Sequence, residues 1–336
     1  MAPALTTETF LLSMRERIRA TLTPLLRGAA RVALLDFPDY TNVGDSLIWL
    51  GQLRALRDAG AGRLVYVATQ GTYDRAELAR AIGDGIILIT GGGNLGDIWT
   101  NHQKFRERVL ADFPGNRVIQ LPQSIAFRDQ IRREQAARAF RAHPDFTLMV
   151  RSERSVQLAA DLVARPPILC PDMALALSPL RRPVPATAGA VFLARTDQEA
   201  DSHQDASMPP WVERVDWVHM PPTVLTRLSR GLLDRPRAWR HMGTVRAEIF
   251  RRLAVERLHF GASLLSRGRV VITDRLHGHV LAGILGLPHF LLDNSYGKVR
   301  ALWDTWTSGF PGAVWCDSVS DALARAGRIL GEPPAG

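Results

Sequence analysis

A chain of 336 residues, 46% of them apolar, is longer than one ordinary core and predicts two α/β domains. Its net charge of +9, carried almost entirely by arginine, suits an acidic partner, yet no zinc finger, helix-turn-helix spacing or aromatic RNA-binding strand supports nucleic acid. There is no run of 18 apolar residues, no basic-then-apolar leader, and no metal or disulfide spacing for the only cysteines, Cys170 and Cys316, so a reduced cytoplasmic protein without a membrane span is expected.

Residues 6–27 read as an amphipathic helix, with Leu11, Met14, Ile18, Leu22 and Leu25 at steps of three and four. Arg15, Arg17 and Arg19 fall between them, and the apolar face is expected to pack on the protein in preference to a membrane surface. A buried strand over 31–37 then leads through Asn42, Gly44, Asp45 and Ser46 into a helix over 47–59. Neither GxGxxG nor GxxxxGK[ST] is present, so neither a dinucleotide fingerprint nor a P-loop is supported. Asn42 and Gly44 suit a turn and Asp45 or Ser46 a helix cap; the same polar residues also lie where such sheets bind ligands.

Strands follow at 64–68 and 86–90, the latter running straight into Gly91-Gly92-Gly93-Asn94-Leu95-Gly96-Asp97. Three glycines after a buried strand let backbone approach a ligand closely; the alternative is a flexible linker. A helix over 102–110 and strands at 117–121, 147–150 and 168–170 complete one doubly wound domain, residues 1–180. Gln120-Leu121-Pro122-Gln123-Ser124 lies at one strand end, and Arg151-Ser152-Glu153-Arg154-Ser155 opens another helix. Proline marks a linker over 181–188. A second domain over 189–330 has strands at 190–194, 215–219, 269–273, 289–292 and 313–315. It also carries a polar, acidic loop over 195–210 and a basic helical stretch over 223–267, broken at Pro236, and it ends in a loose tail over 331–336. The ten arginines of 223–267 form a solvated face or one that meets anionic lipid.

The densest chemistry lies at Val270–His279, VITDRLHGHV. A β-branched run turns polar at Thr273 and Asp274, crowds Arg275, His277 and His279 around Gly278, then becomes apolar at helical spacing. A strand end running into a helix N-terminus attracts anions, because the first N–H groups are unpaired and the dipole is positive there. Two histidines and an arginine make that a site for a small anion plus a proton donor. An isolated motif of this kind reads equally as a capped turn with solvated basic side chains.

Six pieces follow one another in order: Asn42-Val43-Gly44-Asp45, Gly91–Asp97, Leu121-Pro122-Gln123-Ser124, Arg151–Ser155, Cys170-Pro171-Asp172, and Asp274-Arg275-Leu276-His277-Gly278-His279. This series resembles the polysaccharide pyruvyltransferases, and the opening through Ile48-Trp49 is most similar to the branch that decorates bacterial exopolysaccharides. The resemblance implies two Rossmann-like domains facing across a cleft, similar to the GT-B arrangement. It implies phosphoenolpyruvate as donor, with no cofactor, and a sugar diol as acceptor, giving a pyruvate ketal and free phosphate. It places Arg275 and His277 at the donor, with His277 the preferred acid and Arg195 a second arginine by position. The loops holding Asn42, Gly44, Asp45, Gly92, Gly93, Asn94 and Asp97 would face the acceptor.

That chemistry asks for arginine forks on the donor's carboxylate and phosphate, an imidazole to protonate the enol carbon, and a carboxylate to take a hydroxyl proton. Asp45 and Asp97 are candidate bases, Asp274 is a candidate to orient a histidine, and His279 is the alternative proton donor or a partner of His277. No carboxylate–histidine spacing predicts a metal. A lipid-linked acceptor and contact with the anionic inner membrane follow from the family and the charge. Two rivals share parts of the pattern: a nucleotide-sugar glycosyltransferase of the same fold, and a non-catalytic assembly protein built on the basic helices.

Overall fold

The computed structural model describes residues 5–195, 208–223, 225–227, 243–294 and 297–332. The acidic stretch 196–207, the expected break at Pro236 and the tail residues 333–336 lie outside them. Two parallel sheets with helices on their faces form two Rossmann-like units. The first carries β1 (Arg31–Leu35), β2 (Arg63–Ala68), β3 (Ile86–Ile89), β4 (Gly92–Gly96), β5 (Val118–Ala126), β6 (Phe146–Val150) and β7 (Ile168–Leu169). Its order is β2-β1-β3-β5-β6-β7, with β4 continuing the line of β3 beside β5. The second carries β8 (Ala188–Leu193), β9 (Val212–Val215), β10 (Gly268–Thr273), β11 (His289–Leu291) and β12 (Ala313–Trp315), in the order β9-β8-β10-β11-β12. Both sheets start from their second strand, step back to the first and then run forward, so each reverses direction once. These reversals fall between β1 and β3 and between β8 and β10, the places where open sheets leave a crevice for ligands.

The connecting helices are α1 (Thr7–Leu26), α2 (Val43–Asp58), α3 (Arg75–Ile82), α4 (Thr100–Asp112), α5 (Gln130–Ala142), α6 (Glu153–Ala159), α7 (Gly243–Ser266), α8 (Leu276–Ile284), α9 (Lys298–Leu302) and α10 (Val319–Leu330). Strands buried on both faces read as continuous apolar runs, and alternate residues feed different cores. Val32 and Leu34 of β1 face a large cluster with α1 and α2, while Ala33 and Leu35 face a second one beneath α3, α4 and α5. The large cluster also takes Val271 of β10 and Leu281 of α8, so one core passes from the first sheet to the second. α7, which belongs to the second half of the chain, packs on α2 and β2 of the first. No described helix is long and apolar enough to cross a membrane.

Four local expectations change. α2 starts at Val43, four residues early, because the Asn42 side chain accepts Gly44 N–H at 2.9 Å and caps it; Asp45 and Ser46 lie inside the helix. The glycine run is not a loop but strand β4, drawn out by pairing with β5. β5 runs on through Pro122, where the pairing with β6 jumps from Gln120 to Gln123 and so spares the missing N–H. The strand expected at 215–219 ends at Val215, because Asp216 accepts Val218 N–H at 3.2 Å and turns Trp217–His219 into a 3₁₀ helix.

Candidate active site

The carboxyl ends of both sheets meet across a cavity of about 390 Å³. The first sheet presents Asn42, Asp45, Gly93, Asn94 and Arg151; the second presents Arg195, Trp217, Arg275, His277 and Lys298. α2 and α8 each begin at a strand end beside a reversal, and the two helices pack against each other at the cavity.

His277 sits in the first turn of α8, and its side chain packs against Gly44 in the first turn of α2. A methyl group added at Gly44 would come within 2.6 Å of its Nδ1. Its Nε2 lies 3.4 Å from Asp172 Oδ2, an ion-pair contact without hydrogen-bond alignment. Asp172 is 1% exposed and also accepts from Arg151 Nη1 at 2.6 Å and from Ala174 N–H at 2.8 Å. Burial alone would raise this carboxyl, but the charges of His277 and Arg151 outweigh it and hold Asp172 well below the usual carboxylate range. Arg151 is fixed in turn by Ser124 Oγ at 2.8 Å. Thus a permanent carboxylate lies behind the histidine and a buried arginine beside it. Such a floor can stabilise an imidazolium.

Arg275 is buried on the indole of Trp217, 5.6 Å from its centroid, and its Nη2 donates to both oxygens of Asp216 at 2.7 and 2.6 Å. Asp274 does not orient a histidine. Its two oxygens accept the backbone N–H of Arg195 at 3.0 and 3.3 Å, which ties the end of β8 to the end of β10. Burial pushes its carboxyl up to about 6, against the lowering pull of Arg275.

On the facing side, Asp45 Oδ2 accepts from Asn42 Nδ2 and from the Tyr40 hydroxyl, each at 2.8 Å. Asn42 therefore caps α2 with its oxygen and aims Asp45 with its nitrogen. Gly92 lies beside Asp45 at φ +138°, a backbone conformation that a residue with a Cβ rarely adopts, so glycine is required by the chain path and not by lack of space. Gly93 presents its carbonyl to Lys298 Nζ at 3.2 Å. The Asn94 side-chain Oδ1 accepts from Arg106 Nη2 at 3.0 Å and from Gln123 Nε2 at 2.9 Å, with Gln120 behind them. The glycine run is thereby held from beneath by a buried amide network.

Two residues expected at the centre lie elsewhere. Asp97 points away from the cavity: its Oδ2 accepts the N–H groups of Arg128 and Asp129 at 2.7 and 2.6 Å, which ties down the turn after β5. His279 is wholly buried beneath α8, with its Nδ1 2.8 Å from His289 Nε2 and its ring beside Trp303 and Phe310. At 3.6 residues per turn, residues two apart on a helix point to opposite sides, so His277 faces the cavity and His279 the core. Asp172, Arg151 and Lys298 had no assigned role from sequence. The first two stood inside recognised motifs; Lys298 carried no signal.

The family model described as polysaccharide pyruvyl transferase matches residues 42–223 and 257–296. Pyruvyl transferase 1 of Schizosaccharomyces pombe is 33% identical over 88% of this chain and 75% of its own length. EpsO of Bacillus subtilis, provisionally named a pyruvyl transferase, is 27% identical over 90% of this chain and 92% of its own. The crystal structure of an uncharacterised Klebsiella pneumoniae protein superposes with a TM-score of 0.58 at 16% identity, over 91% of this chain and 99% of that one.

Proposed function

The chain belongs to the polysaccharide pyruvyl transferase family and is an enzyme of pyruvyl transfer; from that premise we propose that its donor is phosphoenolpyruvate and its product a cyclic ketal on a sugar diol. The observation that carries this reading is the Asp172–His277 contact on a cavity floor lined by Arg151, Arg195, Arg275 and Lys298. A three-carbon anion with a carboxylate and a phosphate needs several cationic groups in fixed geometry and one proton donor.

His277 gives its proton to the methylene carbon, and C2 becomes electrophilic. One acceptor hydroxyl adds to C2 while Asp45, opposite, is the candidate to take its proton. The C2–O bond to phosphate then breaks, and the phosphate leaves with the electron pair. The second hydroxyl closes the ring on C2, and its proton leaves with phosphate or solvent. Each acceptor oxygen forms one bond to C2, and the donor carbon skeleton ends as a methyl ketal. A lipid-linked exopolysaccharide acceptor at the inner membrane fits the arginine excess.

The test is thermal stabilisation by phosphoenolpyruvate, with UDP and GDP as controls. Free ligand at a hundred times its dissociation constant adds about 2.7 kcal/mol and a clear rise in Tm. A rise with phosphoenolpyruvate that is lost in Arg195→Ala and Arg275→Lys supports the donor site. A rise with a nucleoside diphosphate alone overturns it in favour of sugar transfer.

A further inference from the structure

Beside the catalytic cavity lies a second one of about 520 Å³, formed where the ends of β5 and β6 face the end of β11. Asn294 and Lys298 line both, so the two spaces share a wall within one cleft. The recognised motifs Leu121–Ser124 and Arg151–Ser155 end here, and the transfer chemistry uses only Arg151 of them. Ser124, Ser152 and Ser155 also line the annex, with Ser124 Oγ accepting from Arg151 Nε at 2.8 Å and Ser152 Oγ donating to Ser155 Oγ at 3.0 Å. The charge is one-sided: Arg128, Arg133, Arg154 and Lys298 against Asp293. Arg133 is held by Asp161 at 2.5 and 2.7 Å, Lys298 Nζ donates to the Gly93 carbonyl at 3.2 Å, and Asp293 Oδ1 accepts the N–H groups of Asn294 and Arg300. Several arginine forks and a lysine around one concave space suit an oxyanion with several acceptor atoms.

We infer that this annex binds a phosphate or diphosphate group next to the transfer site. The inference rests on the proposed reaction for its two possible sources. One is a phosphate linkage carried by the acceptor. The other is the phosphate released from the donor, leaving past Lys298. An acceptor seated in both cavities would have its diol at His277 and its phosphate at Arg128 and Arg154.

The experiment is calorimetric titration of the full chain in metal-free buffer with pyrophosphate, orthophosphate and farnesyl diphosphate, each in the presence of saturating phosphoenolpyruvate. Pyrophosphate is expected to bind one further site, and the Arg128→Gln/Arg154→Gln double variant to weaken it at least tenfold while the affinity for phosphoenolpyruvate is unchanged. Tighter binding of the two diphosphates than of orthophosphate, by tenfold or more, assigns the acceptor's linkage; equal binding assigns the released product. Pyrophosphate heat that vanishes once phosphoenolpyruvate is present, or that survives the double variant, overturns the annex. If phosphoenolpyruvate itself fails to bind but pyrophosphate still does, the annex stands and the donor assignment falls.

Discussion

An acid that must give up a proton in the transition state needs its charged form to be tolerated beforehand, and in the reaction proposed above Asp172 supplies that tolerance at His277. The carboxylate is buried and stays ionised between His277 and Arg151, so neither water nor a second proton competes for it. Removing the imidazole removes the proposed proton donor and leaves the floor in place. His277→Ala should therefore lower turnover by about 10²–10⁴ while the fold persists, measured as initial rates beside far-ultraviolet dichroism. Asp172→Asn should lower turnover too, but with a lower Tm, because Arg151 loses the anion that offsets its burial; breaking a buried pair costs about 3–5 kcal/mol. His277→Ala with unchanged turnover would remove the histidine from the mechanism. The sequence showed Arg275 and His277 at a strand end, since local pattern suffices for that. It could not show that Asp172 serves the histidine, or that Asp216 pairs with Arg275, because those partners meet only through the packing of separate elements.

Among elements, the start of α2 and the start of α8 are pressed together, and that contact sets where the imidazole sits. Gly44 is the only residue type that fits, since a Cβ there would lie 2.6 Å from Nδ1 and 2.8 Å from Cβ and Cγ of His277. Gly44→Ala should push the ring off its line to Asp172. A displacement near 1 Å can cost about 10²-fold in rate, and overpacking of this kind costs about 1–3 kcal/mol in stability. Steady-state kinetics with a melting curve separate the two effects; a variant with normal kcat would show that the contact is incidental. Strands such as 31–35 and 86–89 were readable because burial on both faces writes them as unbroken apolar runs. β4 was not, because Gly-Gly-Asn has no strand propensity of its own and is extended only by the edge of β5. The start of α2 was misplaced for a related reason: Asn42 looked like a turn residue, and its use as a cap depends on which way the chain leaves the sheet.

Across the whole molecule, α1 and α7 each bind the two halves into one core. Phe10 of α1 stacks on Phe310 at 4.3 Å, and Phe310 closes the box around His279 and His289. His289 Nδ1–H donates to the Leu287 carbonyl at 2.7 Å, so its Nε2 must accept from His279 Nδ1–H. Both rings are thus held neutral, and His279 Nε2 is a buried atom without a hydrogen-bond partner. Burial lowers His289 from 6.5 to about 4, and burial with the neighbouring histidines lowers His279 as well. Depressed values mean that the unfolded chain takes up these protons first. The stability that His289 contributes is then complete above pH 6.5, falls as the pH drops towards 4, and levels off below it, while Asp274, raised to about 6, works in the opposite sense over part of that window. For His289 alone the loss is about 3 kcal/mol at 1.36 kcal/mol per pH unit, and His279 adds to it with the same sign. Because the box joins α1 to the second sheet, acid should melt both halves in one transition. His289→Gln keeps an acceptor for His279 and a donor for Leu287 but cannot charge, so its Tm should fall less between pH 6.5 and 4. Melting curves across that window decide the matter: an identical fall in the variant would place the acid sensitivity elsewhere, and two separate transitions would show that the shared core does not couple the halves.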